Sequence, residues 1–154
     1  MNLKVSITAA LLCFAVAATC HAVSNGDAFL GVWYNEEKDA KIEVYKCADK
    51  YCGKIVWLRE PNYEAGSTEG TPGTPMLDNH NPDPSLHTRP LLGLLIVKDF
   101  VYAGDGTWKG GTVYDPKVGK TYSGKITLVS PDQLTLRGFI LGITFLGRNT
   151  TWTR

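Results

Sequence analysis

The sequence predicts an all-β protein, an antiparallel up-and-down barrel of about eight strands, on three observations. Short segments of alternating apolar and polar residues recur along the chain between turn residues, and no long stretch has helical periodicity. Residues 40–58 (AKIEVYKCADKYCGKIVWL) hold two such runs joined by a short polar turn. Glycines such as Gly31, Gly110, Gly111 and Gly124 fall inside several of the runs, which suits a strongly bent sheet. A meander of this strand count can close on itself and so remove its exposed edges.

The chain opens with a segment expected to stay outside the fold. Lys4 supplies a positive start, residues 7–18 (ITAALLCFAVAA) form an apolar run, and Cys20-His21-Ala22 ends on a small residue suited to cleavage. Residues 1–22 therefore read as a cleaved secretory signal, its apolar run being too short to cross a bilayer comfortably. A lipid-modified Cys20 is the weaker reading, because Ala17 and Thr19 are poor residues at the positions such a site needs small and aliphatic. Residues 23–154 are enough for one domain with its own core. With Lys4 set aside, the rest balances 15 Lys+Arg against 15 Asp+Glu. Such neutrality gives no support to nucleic-acid binding or to electrostatic membrane attachment. No later segment resembles a membrane span.

Residues 29–34 (FLGVWY) give a first strand with Gly31 before Trp33, and residues 35–39 a charged turn. In the 40–58 hairpin, Cys47 and Cys52 flank the turn; one close cysteine pair in an exported chain is most simply a disulfide. Closing so short a loop contributes roughly 2 kcal/mol. Redox catalysis is disfavoured, since the spacing is not Cys-x-x-Cys. If the two cysteines stand directly opposite each other, Val44 faces Ile55 and Ile42 faces Trp57. Those four residues then share an apolar face directed into the barrel. Tyr45 with Lys54, Glu43 with Val56, and Lys41 with Leu58 form the mixed outer face.

Residues 59–90 break the pattern. They are crowded with Pro, Gly, Asn, Asp and Ser and predict one long irregular loop, an excursion over the surface or across one end of the fold. The apolar run 91–97 (LLGLLIV) suits a buried strand or a short helix, and Ile96 and Val97 favour strand; residues 99–106 are expected to be a loop. Residues 107–114 read as a strand whose Gly110-Gly111 pair marks a bulge or a sharp bend. Asp115-Pro116-Lys117-Val118-Gly119 is a turn, with proline presetting one dihedral and glycine taking the left-handed position. Residues 120–129 then put Tyr122, Ile126 and Leu128 on one face. Ser130-Pro131-Asp132 turns the chain into a strand over 133–140, Leu141-Gly142 bends it, and residues 143–153 close it.

Catalytic signatures are few. His80 and His87 lie in the irregular loop, where Asp78 and Asp83 could approach them as metal ligands, but the spacing matches no strong template and turn-forming polar residues explain it as well. The run from Asp78 begins like a calcium loop yet lacks the glycine and the terminal glutamate. No nucleophile-elbow, metal-helix or phosphate-loop motif is present. Trp33, Trp57, Tyr114, Tyr122, Phe139 and Trp152 are the candidates for inward aromatic positions.

Gly31-x-Trp33, with Arg148 and Arg154 in the final strand, resembles the first-strand signature of lipocalins and other calycins, in which the tryptophan packs beneath an arginine of the last strand. A larger ensemble is more specific. It comprises Gly31-x-Trp33, Cys52-Gly53, Asp78 with Asn81, Arg89-Pro90-Leu91-x-Gly93, Trp108-Lys109-Gly110-Gly111 and Tyr114-Asp115-Pro116. Gly119-Lys120-Thr121-Tyr122, Leu136-Arg137-Gly138 and Thr151-Trp152-Thr153-Arg154 complete it. This ensemble resembles the exported bacterial domain-of-unknown-function family numbered 2147 across essentially all of 23–154. The resemblance implies a lipocalin-like barrel, located in the periplasm or secreted, with Trp33, Arg148 and Arg154 closing it.

Small eight-stranded barrels either fill their interior or hold one small ligand. The leading expectation is a binding protein for a small, at least partly apolar molecule, with Trp33, Trp57, Tyr114 and Tyr122 lining the cavity and no cofactor. Arg89, in the 78–93 segment at the mouth, would meet a polar or acidic ligand group. A structural or interaction module of the cell envelope with a filled barrel is the alternative, and a metal-dependent enzyme using the 78–87 loop is a third.

Overall fold

The structure, a computed structural model, describes residues 26–139 and 147–154. The expected signal and the bend at Leu141-Gly142 lie outside the described residues. Eight strands close in chain order into an antiparallel barrel: β1 (Gly31–Tyr34), β2 (Ala40–Cys47), β3 (Lys50–Leu58), β4 (Leu95–Tyr102), β5 (Thr107–Asp115), β6 (Lys120–Ser130), β7 (Gln133–Phe139) and β8 (Gly147–Thr153). Short 3₁₀ turns occupy Gly26–Phe29 and Pro84–Leu86. Phe29, expected in the first strand, belongs to the first of these turns.

The β2–β3 hairpin has a different register from the one the cysteines suggest. Cys47 pairs with Lys50 and Tyr45 with Cys52, so the turn is two residues long and the cysteines stand on a diagonal. Ala48 adopts φ 57°, the left-handed conformation that a tight two-residue hairpin turn needs at its first position. The Cys47 and Cys52 sulfurs nevertheless lie 1.97 Å apart, at disulfide distance, because diagonal neighbours remain within reach across a twisted pair. A bulge between Lys41 and Ile42 shifts the pairing again, setting Ile42 opposite Ile55 and Lys41 opposite Trp57. Ile42, Val44 and Ile55 point inward and are buried as expected, but Trp57 turns outward and is 38% exposed. An extra residue in one strand inverts every side chain beyond it.

The remaining strands follow the alternation more closely. Gly110-Gly111 does form a bulge: Trp108 pairs with Ile126 and Gly111 with Gly124, leaving two residues of β5 opposite Lys125 alone. β4 runs on to Tyr102, through residues 99–102 that were expected in a loop; Asp99, at φ 63°, absorbs the irregularity without ending the strand. Gly119 takes φ 65° at the close of the β5–β6 turn.

The core is an aromatic cluster. Trp33, Trp108, Phe29 and Phe100 are fully buried. A Cβ at Gly111 or Gly124 would come within 2.3 or 2.4 Å of the Phe100 ring, so those glycines make the space that the ring fills. Trp108 meets Phe29 at 5.1 Å, Tyr102 at 5.2 Å and Tyr51 at 6.3 Å between ring centroids.

Candidate functional site

The two ends of the barrel are built differently, and the difference locates the site. The lower end carries the Gly26–Phe29 turn, the turns at 48–49, 103–106 and 131–132, and the C-terminus. Here the Arg154 guanidinium lies 3.9 Å over the Trp33 ring. It donates to the carbonyls of Leu30 (3.1 Å), Ala28 (2.8 Å) and Pro131 (2.8 Å). Trp33 in turn donates from Nε1 to the Phe29 carbonyl at 2.9 Å. One planar cation thus covers the tryptophan and ties both chain ends together. Arg148, the other arginine expected to close the barrel, stands at the opposite end of β8 and takes no part.

The upper end carries the turn at 35–39, the long connection 59–94 and the turn at 116–119. On the β5–β8 side, inward positions become more accessible toward it, whereas Ala40, Ile55 and Leu94 keep the β2–β4 side buried. Along β6 and β5, Ile126, Gly124 and Gly111 are buried, whereas Tyr122 and Val113, a cross-strand pair, are half-buried. Along β7 and β8, Leu134 and Trp152 are buried, then Gly138 is half-buried opposite Arg148, which is 78% exposed. Tyr122 lies beside Gly138, in ordinary contact distance of where a Cβ there would stand. The described interior is a cup filled at its base and accessible at its rim.

Two contacts cross that rim. In an eight-stranded ring the β1–β2 and β5–β6 turns are on opposite sides, yet Lys117 of one reaches Asp39 (2.9 Å) and Glu37 (3.6 Å) of the other. The Asp39 hydrogen bond raises the Lys117 pKa. Burial pushes the Asp39 carboxyl up, but hydrogen bonds from Lys117 and Asn35 outweigh it and leave the group below its ordinary value. Beside this strap, β1 meets β8 through a single pair, Tyr34 with Thr153. Glu36 bridges the gap above, accepting from the Thr151 amide at 3.3 Å and lying 3.9 Å from Arg148.

The long connection is pinned by one carboxylate. Asp78 is fully buried. It accepts from Arg89 Nη2 (2.7 Å), Asn81 (2.8 Å) and the Tyr114 hydroxyl (2.5 Å). Main-chain contact between Leu77 and Pro90 doubles the link. Burial, followed by the hydrogen bond to Asp78, pushes the Tyr114 hydroxyl up to about 12. A Cβ at Gly119 would fall 1.7 Å from the His80 carbonyl oxygen, so only glycine lets the connection sit down on the β5–β6 turn. Tyr63 supports the outer half, its hydroxyl accepting from the Leu77 amide at 3.0 Å and from Asn79 at 2.7 Å.

Among the five ligand-lining candidates, the structure leaves Tyr122 alone on the accessible inner wall. Trp33 is sealed beneath Arg154. Trp57 is on the outer surface, edge-on to Tyr34 at 6.0 Å with the Lys41 ammonium over both rings, because β3 holds an extra residue between Ile55 and Trp57. Tyr114 pairs with Thr121, one step from the inward Val113–Tyr122 pair, so it faces outward and serves Asp78. Arg89 is spent on Asp78 through Nη2, although its Nε is buried without a partner among the described residues. His87 bonds the Asn81 carbonyl and Asp83 caps Ser85; among the described residues no three His, Cys, Asp or Glu side chains gather as a metal site. Sequence reasoning missed the Lys117 strap, for which no local pattern exists. It also read Arg148 as a closing residue, although the parity of β8 relative to Trp152 puts it on the inner face near the rim.

Comparison with known proteins agrees with this architecture. No curated protein matches the chain. A solved structure, titled as protein HP1028 from the human pathogen Helicobacter pylori and as belonging to the lipocalin family, superposes with a TM-score of 0.65 at 22% identity, covering 81% of each chain. That likeness establishes the lipocalin-like fold. The family described as an uncharacterized protein conserved in bacteria, DUF2147, matches residues 31–154, and the chain belongs to that family.

Proposed function

We propose that this chain is an exported, lipocalin-like binding protein for a small, at least partly apolar molecule held in the upper half of the barrel. The supporting observation is the gradient of accessibility along the inward positions, from buried Ile126 and Leu134 to half-buried Tyr122 and Val113 and exposed Arg148. With the base filled, this reading puts the ligand at the accessible rim of β5–β8. There Tyr122 and Val113 provide apolar contact and Arg148 a fixed charge for a polar or acidic group. Export follows from the charged and apolar character of residues 1–22 and carries the protein to the periplasm or beyond. Native mass spectrometry of gently purified protein tests the reading directly. A co-purifying small molecule that is lost in Tyr122→Ala supports it; a persistently ligand-free protein that also fails to retain any member of an apolar-acid library sinks it.

A second reading, an interaction module of the cell envelope, is favoured by the outer face of β1–β3, where Val32 and Trp57 are 42% and 38% exposed. In-cell cross-linking from position 57 that captures one envelope protein, without any co-purifying ligand, would move the balance to it.

A further inference from the structure

The β5 bulge opens a hollow of about 450 Å³ on the outside of the barrel, lined by Lys109, Gly110, Gly124, Lys125, Arg137 and Phe139. Its origin is local. Lys109 and Gly110 together oppose Lys125; Gly110 takes φ 76°, and no atom lies within 4 Å of the place its Cβ would occupy. The register sets Lys109 opposite Lys125, the bulge adds Gly110 and leaves open space beside them, and Lys125 is paired directly across β6–β7 with Arg137. Like charges opposite one another in a sheet are destabilising, so Lys109 and Lys125 stand at a cost that an anion between them would remove. No carboxylate lines the hollow, and neither Lys109 nor Lys125 makes an ion pair among the described residues. Charge in the chain as a whole is divided the same way. Residues 26–106 carry 13 Asp+Glu against 8 Lys+Arg, and residues 107–154 carry 2 against 7.

We propose that this hollow binds a phosphate group, with the Phe139 ring taking the apolar part of the molecule that carries it. Several acceptor oxygens on one compact, multiply charged group suit a hollow lined by more than one cation better than a single carboxylate does. The phosphate can come from a soluble molecule or from the headgroup of an anionic lipid, and two titrations separate these. Amide shifts of ¹⁵N-labelled protein are followed with inorganic phosphate, and binding is followed separately to vesicles of phosphatidylcholine with and without phosphatidylglycerol.

In either arm, the expected result is a response concentrated at 109–110, 124–125 and 137–139. Binding weakens by roughly fivefold or more in Lys109→Gln/Lys125→Gln, the loss that two solvent-exposed ion pairs allow. Lys46→Gln/Lys50→Gln, which removes the same charge from the opposite half, leaves it unchanged. Phosphate alone sufficing identifies a soluble source; response only to phosphatidylglycerol vesicles identifies a headgroup. Silence in both arms, or equal binding by the two double variants, overturns the proposal.

Discussion

The lower end of the barrel is held by aromatic packing, the upper end by ions. Below, Phe29, Trp33, Tyr51, Tyr102 and Trp108 interlock, Arg154 lies flat on a ring and spends donors on main-chain carbonyls, and the Lys46–Asp27 pair stays at the surface. Above, a buried carboxylate pins the long connection, and a lysine straps two turns together. Dispersion and burial act over many contacts and cannot be switched singly; a polar network depends on each member and on pH and salt. The comparison teaches that rigidity and access are separated by chemistry along one axis, with the permanent closure at the base and the adjustable one at the rim.

Four experiments would break or sharpen that contrast. The largest effect is expected from Trp108→Ala, which empties the centre of the base and should cost about 3–5 kcal/mol, read as a lower midpoint in urea by every probe at once. Asp78→Ala comes next, at about 2–3 kcal/mol, because it leaves Tyr114 and Arg89 without their acceptor, while the half-exposed Arg89 can recover water. Its signature is local: amide exchange should quicken across residues 62–91 while β1–β3 stay protected. If the whole barrel loosens equally, the two ends are one cooperative unit and the contrast fails.

A pH titration probes the same network more gently. The Tyr114 pKa is raised above its unfolded value, so the stability linked to its proton is complete below about pH 10 and lost as pH rises toward about 12. Tyrosinate absorbance should show late-ionising tyrosines, of which one disappears in Tyr114→Phe while Tyr51, raised by burial and by its bond to Asp27, remains. The smallest effect belongs to Lys117→Gln. Exposed ion pairs contribute only about 0–1 kcal/mol, so its stability should barely change, whereas solvent exchange at Tyr122 and Val113 should quicken if the strap restricts the rim. The Asp39 pKa is lowered, so its contribution is present above the usual carboxylate range and disappears as pH falls through it. Below that range wild type and Lys117→Gln should behave alike.

Much of this fold was legible in the chain, for reasons that differ by element. β5 through β7 were readable because Pro-Lys-Val-Gly and Ser-Pro-Asp are turns with a mechanism and the strands between them alternate cleanly. The glycine pair announced its bulge, because no other residue type is so often placed where a strand must yield. The Lys41–Ile42 bulge had no such marker, and so Trp57 was put inside when it lies outside. Aligning the hairpin on its cysteines failed for a related reason: a disulfide constrains distance, and a diagonal pair satisfies distance as well as a direct one. The candidate site was less legible still. Asp78 was noticed as one of many polar loop residues, but its burial arises only when Tyr114, from a strand 36 residues away, joins Asn81 and Arg89 of its own loop.

The unequal division of charge between the two parts of the barrel has a mechanical consequence. Net charge is a single number and describes how strongly a uniform field pulls on a molecule; residues 23–154 are balanced and would scarcely be pulled. A dipole is nevertheless turned by a field. Within about 8 Å of a charged surface, the screening distance at physiological ionic strength, the protein would experience torque where it experiences little force. It would arrive by diffusion and then rotate, presenting β5–β7 to an anionic surface and β1–β4 to a cationic one.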